Sequence, residues 1–427
     1  MSNAVPHGWS VQPLGKLADV RSSNVDKKSD ASELPVRLCN YTDVYYRNRI
    51  TSDIDFMHAT AKQGEIDRFA LQKGDVIITK DSETPDDIAV PALVSESLPS
   101  VICGYHLTLL RPEPDRSNGE FLAHLFQLQS VQHYFYLLAN GTTRFGLTAE
   151  AINTAPLITP PLPEQQKIAT ILSSVDDVIE KTHAQIDKLK DLKTGMMQEL
   201  LTKGIGHTEF KDSPVGRIPS EWEVLPLESI VENIVDCEHK TAPYVENSEF
   251  LVVRTSNVRD GEIVYEDMRF TTGEAFSEWT KRAVPADGDV LFTREAPAGE
   301  SCMVPAGLKI CMGQRMVLLR PKVNKVYPDY FSLYLTSEAA KLAIYELSIG
   351  TTVTRINIED IKRIPCVVPS VKEQREIHLK VSSIQSVISQ KELLLSSIES
   401  TKKALMQDLL TGKVRVKLNE STATENA

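Results

Sequence analysis

Two stretches of this chain carry apolar residues at coiled-coil spacing. After Glu164 they fall at Ile168, Ile171, Val175, Val178, Leu189, Leu192 and Met196, a seven-residue repeat with polar interruptions at Thr182 and Gln185. After Glu373 the echo is Ile377, Ile384, Val387, Leu394, Ile398 and Leu405. That pattern predicts two long helices, each with one apolar seam. Pro160, Pro161 and Pro163 before the first helix, and Pro365 and Pro369 before the second, are tolerated only ahead of a helix or in its first turn. Gly204 and Gly412 stand where a C-terminal cap belongs. About 38 residues at 1.5 Å each make a rod of roughly 57 Å. Outside these stripes the pattern changes. "DVIIT" and "DVLFT" are short β-branched runs behind a Gly-Asp turn, and "HLTLLRP" and "RMVLLRP" are similar runs closed by proline, so all four read as strands. "GEFLAHLFQLQSVQHYFYLLA" and "PDYFSLYLTSEAAKLAIYELS" read as helical patches that follow them.

The two halves resemble each other, which decides the organisation. "GTTRFGLTAEAI" at Gly141 matches "GTTVTRINIEDI" at Gly350, and "MQELLTKG" at Met197 matches "MQDLLTGK" at Met406, both at an offset of 209. "LLRP" at Leu109 and Leu318 keeps that offset, whereas upstream the register drifts. "KGDVIITKDSE" at Lys73 pairs with "DGDVLFTREAP" at Asp287, "VRLCN" at Val36 with "VRTSN" at Val253, and "GWSVQPL" at Gly8 with "EWEVLPL" at Glu221. A fixed spacer and a variable globular part follow from this contrast. The expected divisions are a module over 1–159, a helix over 160–204, a second module over 205–367, a second helix over 368–412, and a disordered tail over 413–427. The fold class is α+β, two tandem mixed α/β modules separated by two long helices. Two copies joined head to tail can complete each other's seams, so the helices are expected to pair as an antiparallel coiled coil in a pseudo-twofold molecule.

Composition narrows the function. A chain of 427 residues has room for several cores. No apolar run of membrane-spanning length and no signal pattern occurs, so the expectation is a soluble, cytoplasmic protein without membrane contact. The six cysteines, Cys39, Cys103, Cys237, Cys302, Cys311 and Cys366, have no metal-finger spacing and read as buried thiols. A net charge of −11 argues against indiscriminate phosphate binding, so a nucleic-acid role needs a local basic face or a partner that brings one.

Signs of catalysis are missing from the motifs. Gly15-Lys16 and Gly412-Lys413 lack the glycine and hydroxyl of a phosphate loop, and HExxH, GxSxG, GxGxxG and NPPY-like or DPPY-like tetrapeptides are absent. The nine histidines are dispersed, and no metal site is indicated. Asp176-Asp177 reads as a solvated helix face, with Asp177 four residues before Lys181. Two modules on a ruler suggest a binder of two sites at a set distance, which suits a duplex with half-sites about one turn, roughly 34 to 36 Å, apart.

At the two proline-to-glutamine hinges a family becomes recognisable. "PPLPEQQKIATILSSVDDVIEKTHAQIDKLKDLKTGMMQELLTKG" followed by "PVGRIPSEWEVLPL", with "PSVKEQREI" and "MQDLLTGK" in the second copy, resembles the specificity subunit of type I restriction–modification systems. The resemblance covers the chain up to Lys413, and its specific part is the helices with their hinges. It implies two target-recognition domains, each reading half of a split site in double-stranded DNA, with helices that set the unread gap and dock the modification subunits. It further implies a non-catalytic subunit. Two modification (methyltransferase) subunits would transfer a methyl group from S-adenosylmethionine to adenine, and two ATP-driven restriction (translocase/endonuclease) subunits would cleave. S-adenosylmethionine, ATP and Mg are thus expected in the partners, with no cofactor bound by this chain.

Recognition loops are the variable part of that family, so candidate DNA-binding residues rest on side-chain type and position. They are Lys80 with Ser82 and Arg294 after the "GDV" strands, and Thr142, Thr143 and Arg144, with Thr351, Thr352 and Arg355, after "GTT". Tyr105 and His106 face Gln314 and Arg315 in the alignment of the halves, and Arg37 with Asn40 matches Arg254 with Asn257, a pair for which a framework role weighs equally. Unlike loops in the two halves imply an asymmetric target. The rival reading is a scaffold that holds two protein ligands at fixed separation and never touches DNA.

Overall fold

The structure, a computed structural model, describes residues 5–350 and 354–418. Its contacts divide into two compact units, Met1–His183 with Leu393–Ala427, and Ala184–Glu392. Both dividing lines fall inside the long helices, Leu162–Lys203 and Val371–Leu409. Module and helix therefore do not alternate as separate bodies. Each unit is one module plus half of each helix, because an antiparallel partner returns the second helix past the first.

The two modules repeat one topology. In the first unit a five-stranded sheet runs in the order Ala18–Ser22, Leu107–Pro112, Val76–Thr79, Pro91–Val94 and Arg49–Ile50. Beside it lies a three-stranded sheet, Met57–Ala61, Leu34–Cys39 and Val101–Cys103, whose last two strands are parallel. The second unit answers with Val231–Asp236, Met316–Pro321, Val290–Thr293 and Ser301–Met303, and with Arg269–Thr271, Phe250–Val253 and Lys309–Met312, the last two again parallel. The β-branched runs "VIIT" and "VLFT" are wholly buried central strands, as unbroken apolar runs should be. Each long helical patch is in fact two helices, Gly119–Phe126 with Gln129–Leu138, and Pro328–Leu335 with Glu338–Leu347. Their aromatic side chains fill the core, Phe121, Phe126 and Phe135 in one unit and Tyr330, Phe331 and Tyr334 in the other. All six cysteines are buried and unpaired.

The start and end of each module are stapled together where the long helix begins. Ser10–Pro13 pairs with Pro156–Thr159, and Glu223–Pro226 with Pro365–Val368. The hinge glutamines then lock the first helical turn. The Gln165 carbonyl accepts the Asn118 N–H (3.0 Å), and its amide donates to the carbonyls of Arg116 (3.0 Å) and Pro160 (2.9 Å). Gln374 repeats every bond, from the Tyr327 N–H (2.7 Å) and to Lys325 (3.1 Å) and Pro369 (2.8 Å). The preceding glutamates face the module's tryptophan. Glu164 accepts from Trp9 Nε1 (3.2 Å) and pairs with Arg415 (2.6 Å), whereas Glu373 accepts from Trp222 Nε1 (2.9 Å) and faces His207 (2.8 Å). Gly204 and Gly412 end the incoming helices at φ +66° and +70° against those tryptophans, where a Cβ would meet Trp222 or Pro6 at 2.5 Å. Arg415, also bonded to the His7 carbonyl (2.7 Å), lies in the tail expected to be disordered; the chain is instead tied down through Val416, which packs on the first unit's core.

The seam differs from the predicted stripe by one position in alternate turns. Ile168, Val175, Thr182, Leu189, Ile377, Ile384, Ile398 and Leu405 lie on the buried or half-buried side as expected. Their partners are Leu172, Ile179, Ile186 and Lys193, not Val178, Gln185 and Leu192, of which Val178 and Leu192 are about half exposed; Ile171 is half-buried against the first unit's core. Likewise Ile388 and Leu395 are buried where Val387 and Leu394 were expected. Both registers offer apolar residues, and what decides is the polar pairing across the seam. In the second unit Lys193 donates to Gln385 (2.7 Å); in the first, the equivalent Lys402 pairs with Asp176 (2.6 Å). Asp176 is therefore a half-buried seam residue and not part of a solvated face, and Asp177 pairs with Arg49 (2.6 Å) instead of Lys181. Falling partner numbers along rising ones, 176 with 402 and 183 with 399 in one unit, 185 with 391 and 193 with 385 in the other, establish the antiparallel sense.

Candidate nucleic-acid interface

In the first module three loops converge at one end of the central strands. The Lys80 N–H donates to the His106 carbonyl (3.0 Å) and the Leu147 N–H to the Lys80 carbonyl (2.9 Å), and Asp81–Ser82 pairs with Phe145–Gly146 as a short ladder. This brings Lys80, Tyr105, His106 and Arg144 together. Asp81 is their hub: its carboxylate takes Arg144 at 2.7 Å and His106 Nδ1 at 3.0 Å. Lys80 lies beneath the Tyr105 ring (4.4 Å) and donates to the Ser23 carbonyl (2.7 Å), and burial holds its ammonium below the usual lysine value. Tyr41 and Tyr45 stack beside the same cluster, with the Tyr45 hydroxyl on Asp87, whose carboxylate pushes that phenol up to about 12. Burial raises Tyr41 as well.

The second module builds an equivalent site from different side chains. The Arg294 N–H donates to the Arg315 carbonyl (2.8 Å), the Ile356 N–H to the Arg294 carbonyl (2.9 Å), and Glu295 bridges to Arg355 through the backbone. His239, Arg294, Glu295, Gln314, Arg315, Arg355 and Ile356 line a cleft of 330 Å³. Arg294 is held from behind by Asp236 (2.7 Å) and the Ile356 carbonyl (3.3 Å), and Gln314 donates to the His239 carbonyl (3.2 Å). Arg315 Nε faces Glu295 (3.4 Å). Three guanidiniums around one lining carboxylate make this a local basic face on an acidic chain, the kind of face that phosphate and base edges require.

Other candidates take framework roles. Arg37 donates to the Pro99 carbonyl (2.7 Å) and covers the Phe56 ring, while Asn40 opens the helix Tyr41–Tyr45, its N–H bonded to Asp43 (2.8 Å). Asn257 is wholly buried and donates to the carbonyls of Val264 (3.0 Å) and Glu266 (3.1 Å); Arg254 donates to the Asp267 carbonyl (2.7 Å). The repeated Arg/Asn pair thus braces loops in both modules. Ser82 is buried within the ladder, so it too is interior. Thr142 and Thr143 stand exposed beside Arg144, and Thr351 and Thr352 lie outside the described residues. The reading of the sequence missed Asp81, Glu295, Asp236, Tyr41 and Tyr45. For the first two the signal was present, an acid directly after each selected cation in "KDS" and "REA".

Comparison with known proteins agrees with this duplicated design. The family model of the type I restriction modification DNA specificity domain matches twice, over residues 6–191 and 219–399. The chain belongs to that family. It is similar to the type I restriction enzyme EcoKI specificity subunit of Escherichia coli (strain K12), 23% identical over 99% of this chain and 92% of that one. It also resembles the MjaVIII specificity subunit of Methanocaldococcus jannaschii, 32% identical over 60% of this chain and 62% of that one. The crystal structure of the type I restriction–modification S subunit from M. genitalium shares the fold, with a TM-score of 0.58 at 14% identity, covering 98% of this chain and 99% of that one. No helix among the described residues is long and apolar enough to cross a membrane.

Proposed function

We propose that this chain is the DNA-reading subunit of a type I restriction–modification complex, non-catalytic and cytoplasmic. Each module reads one half of a split, asymmetric duplex site, and the paired helices set the gap and dock two modification subunits. Two restriction subunits complete the assembly, and S-adenosylmethionine, ATP and Mg belong to the partners. The observation that carries this reading is the loop cluster at equivalent strand ends of both modules, built alike in the backbone and unlike in side chains: Lys80, Tyr105, His106 and Arg144 against Arg294, Gln314, Arg315 and Arg355. A shared frame with exchanged side chains is what reading two different half-sites demands.

The test is duplex binding and methylation mapping by the purified complex with its modification subunit. Arg144 and Arg315 are the positions to reverse, because their side chains are more than half exposed, whereas Lys80 and Arg294 also anchor the module. R144E and R315E should each abolish a salt-dependent shift of duplex DNA. A wild-type complex that neither shifts DNA nor leaves a split motif would favour the protein scaffold, and a palindromic or continuous motif would remove the asymmetry.

A further inference from the structure

Within the second module's cleft the donors are not equivalent. Arg294 spends Nε on the Ile356 carbonyl and Nη1 on Asp236, which makes it a strut. Arg315 is different in three respects. Its only ion pair among the described residues uses Nε, on Glu295, and its half-exposed side chain lines the cleft with no Nη bond to another described residue. Its backbone is left-handed at φ +68°, a conformation costly for any residue with a Cβ. The turn is nevertheless retained, tied by the Arg294 N–H to the Arg315 carbonyl. Strain of this kind persists where surrounding structure over-determines it and clusters at ligand sites.

From these observations, and resting on the proposed DNA-reading function, we infer that Arg315 is the guanine reader of the second half-site, presented edge-on by Glu295. Two parallel N–H donors on a fixed fork match the O6 and N7 acceptors of guanine in the major groove. An arginine whose Nε faces a carboxylate keeps its two Nη atoms for a base and has its rotamers biased by that ion pair. Glu295 is thus a positioning residue, and Gln314 on the same turn also lines the cleft, its amide donating to the His239 carbonyl. The first module has no copy of this device, since its equivalent position is His106, engaged by Asp81 through Nδ1.

The experiment compares wild type, R315G and R315K in the complex with the modification subunit, reading the methylated motif genome-wide and the melting temperature of the chain. Wild type should show a guanine in one half of the split motif. R315G removes the fork and relieves the backbone, so its melting temperature should hold or rise while discrimination at that one base falls roughly 5- to 150-fold. R315K keeps a charge for phosphate but not the fork, so it should relax the same base with an unchanged salt dependence. If R315K keeps full discrimination, Arg315 is a phosphate contact and the inference fails. If R315G keeps the wild-type motif, or if neither half-site contains a guanine, the inference fails while the DNA-reading function stands. A wild-type complex with no split motif overturns both.

Discussion

Replacing Gln374 with alanine should detach the second long helix from its module at its first turn. The side chain is wholly buried and satisfies three backbone groups from two segments, the Tyr327 N–H and Lys325 carbonyl of one loop and the Pro369 carbonyl of the hinge. Each buried hydrogen bond contributes about 0.5–1.5 kcal/mol net, and each group left without a partner costs about 1–3 kcal/mol. Water can reach some of the vacated space, so about 3 kcal/mol is expected, or on the order of 150-fold in an opening equilibrium. The release is local to one helix end, so the assay is native-state hydrogen exchange at Tyr327 and over 371–380. Protection there should fall about 100-fold in Gln374→Ala. Gln166→Ala, an exposed neighbour of the other hinge, should leave exchange unchanged. Equal protection in Gln374→Ala and wild type would refute the view that the hinge glutamine is a structural lock.

Three further outcomes follow from particular contacts. Ile186→Ala should lower stability by about 2–4 kcal/mol and Leu192→Ala by less than about 0.5 kcal/mol in urea titration, because the first is in the seam and the second is about half exposed; the reverse order would restore the register expected from the sequence. His124, desolvated beside Asp176, Lys402 and Arg49, is held down to about 4 from 6.5, so the unfolded chain takes a proton that the folded chain refuses. Stability should therefore fall by on the order of 3 kcal/mol as pH drops from about 6.5 to 4 and level off below it. His124→Leu, which installs the residue of the equivalent position Leu333, should flatten that slope in pH-dependent melting. Arg415→Ala should lower the melting temperature by releasing Glu164 and the His7 carbonyl, whereas Lys417→Ala, exposed nearby, should not.

The hinge was legible because its chemistry is local. Proline before a helix start and Glu-Gln after it recur at an offset of 209 and glycine at the far end at 208, and this shared local chemistry announced two modules and two helices. The reading loops were only half legible. A cation at a strand end is visible in the sequence, but whether it faces solvent, as Arg144 and Arg315 do, or braces a neighbour, as Arg294 does on Asp236 and Arg37 on Pro99, depends on which distant segment arrives beside it.

Sequence alone thus determined the duplicated architecture, the two long helices and the family, since these follow from short-range periodicity and from comparing the chain with itself. Tertiary structure alone decided the register of the seam and the membership of the site. At 192–193 the sequence offers Leu beside Lys, and hydrophobicity selects the leucine; the fold places Lys193 inward because Gln385 waits 2.7 Å away on the other helix. A buried polar group is tolerated only where its partner is, and that partner lies 192 residues along the chain.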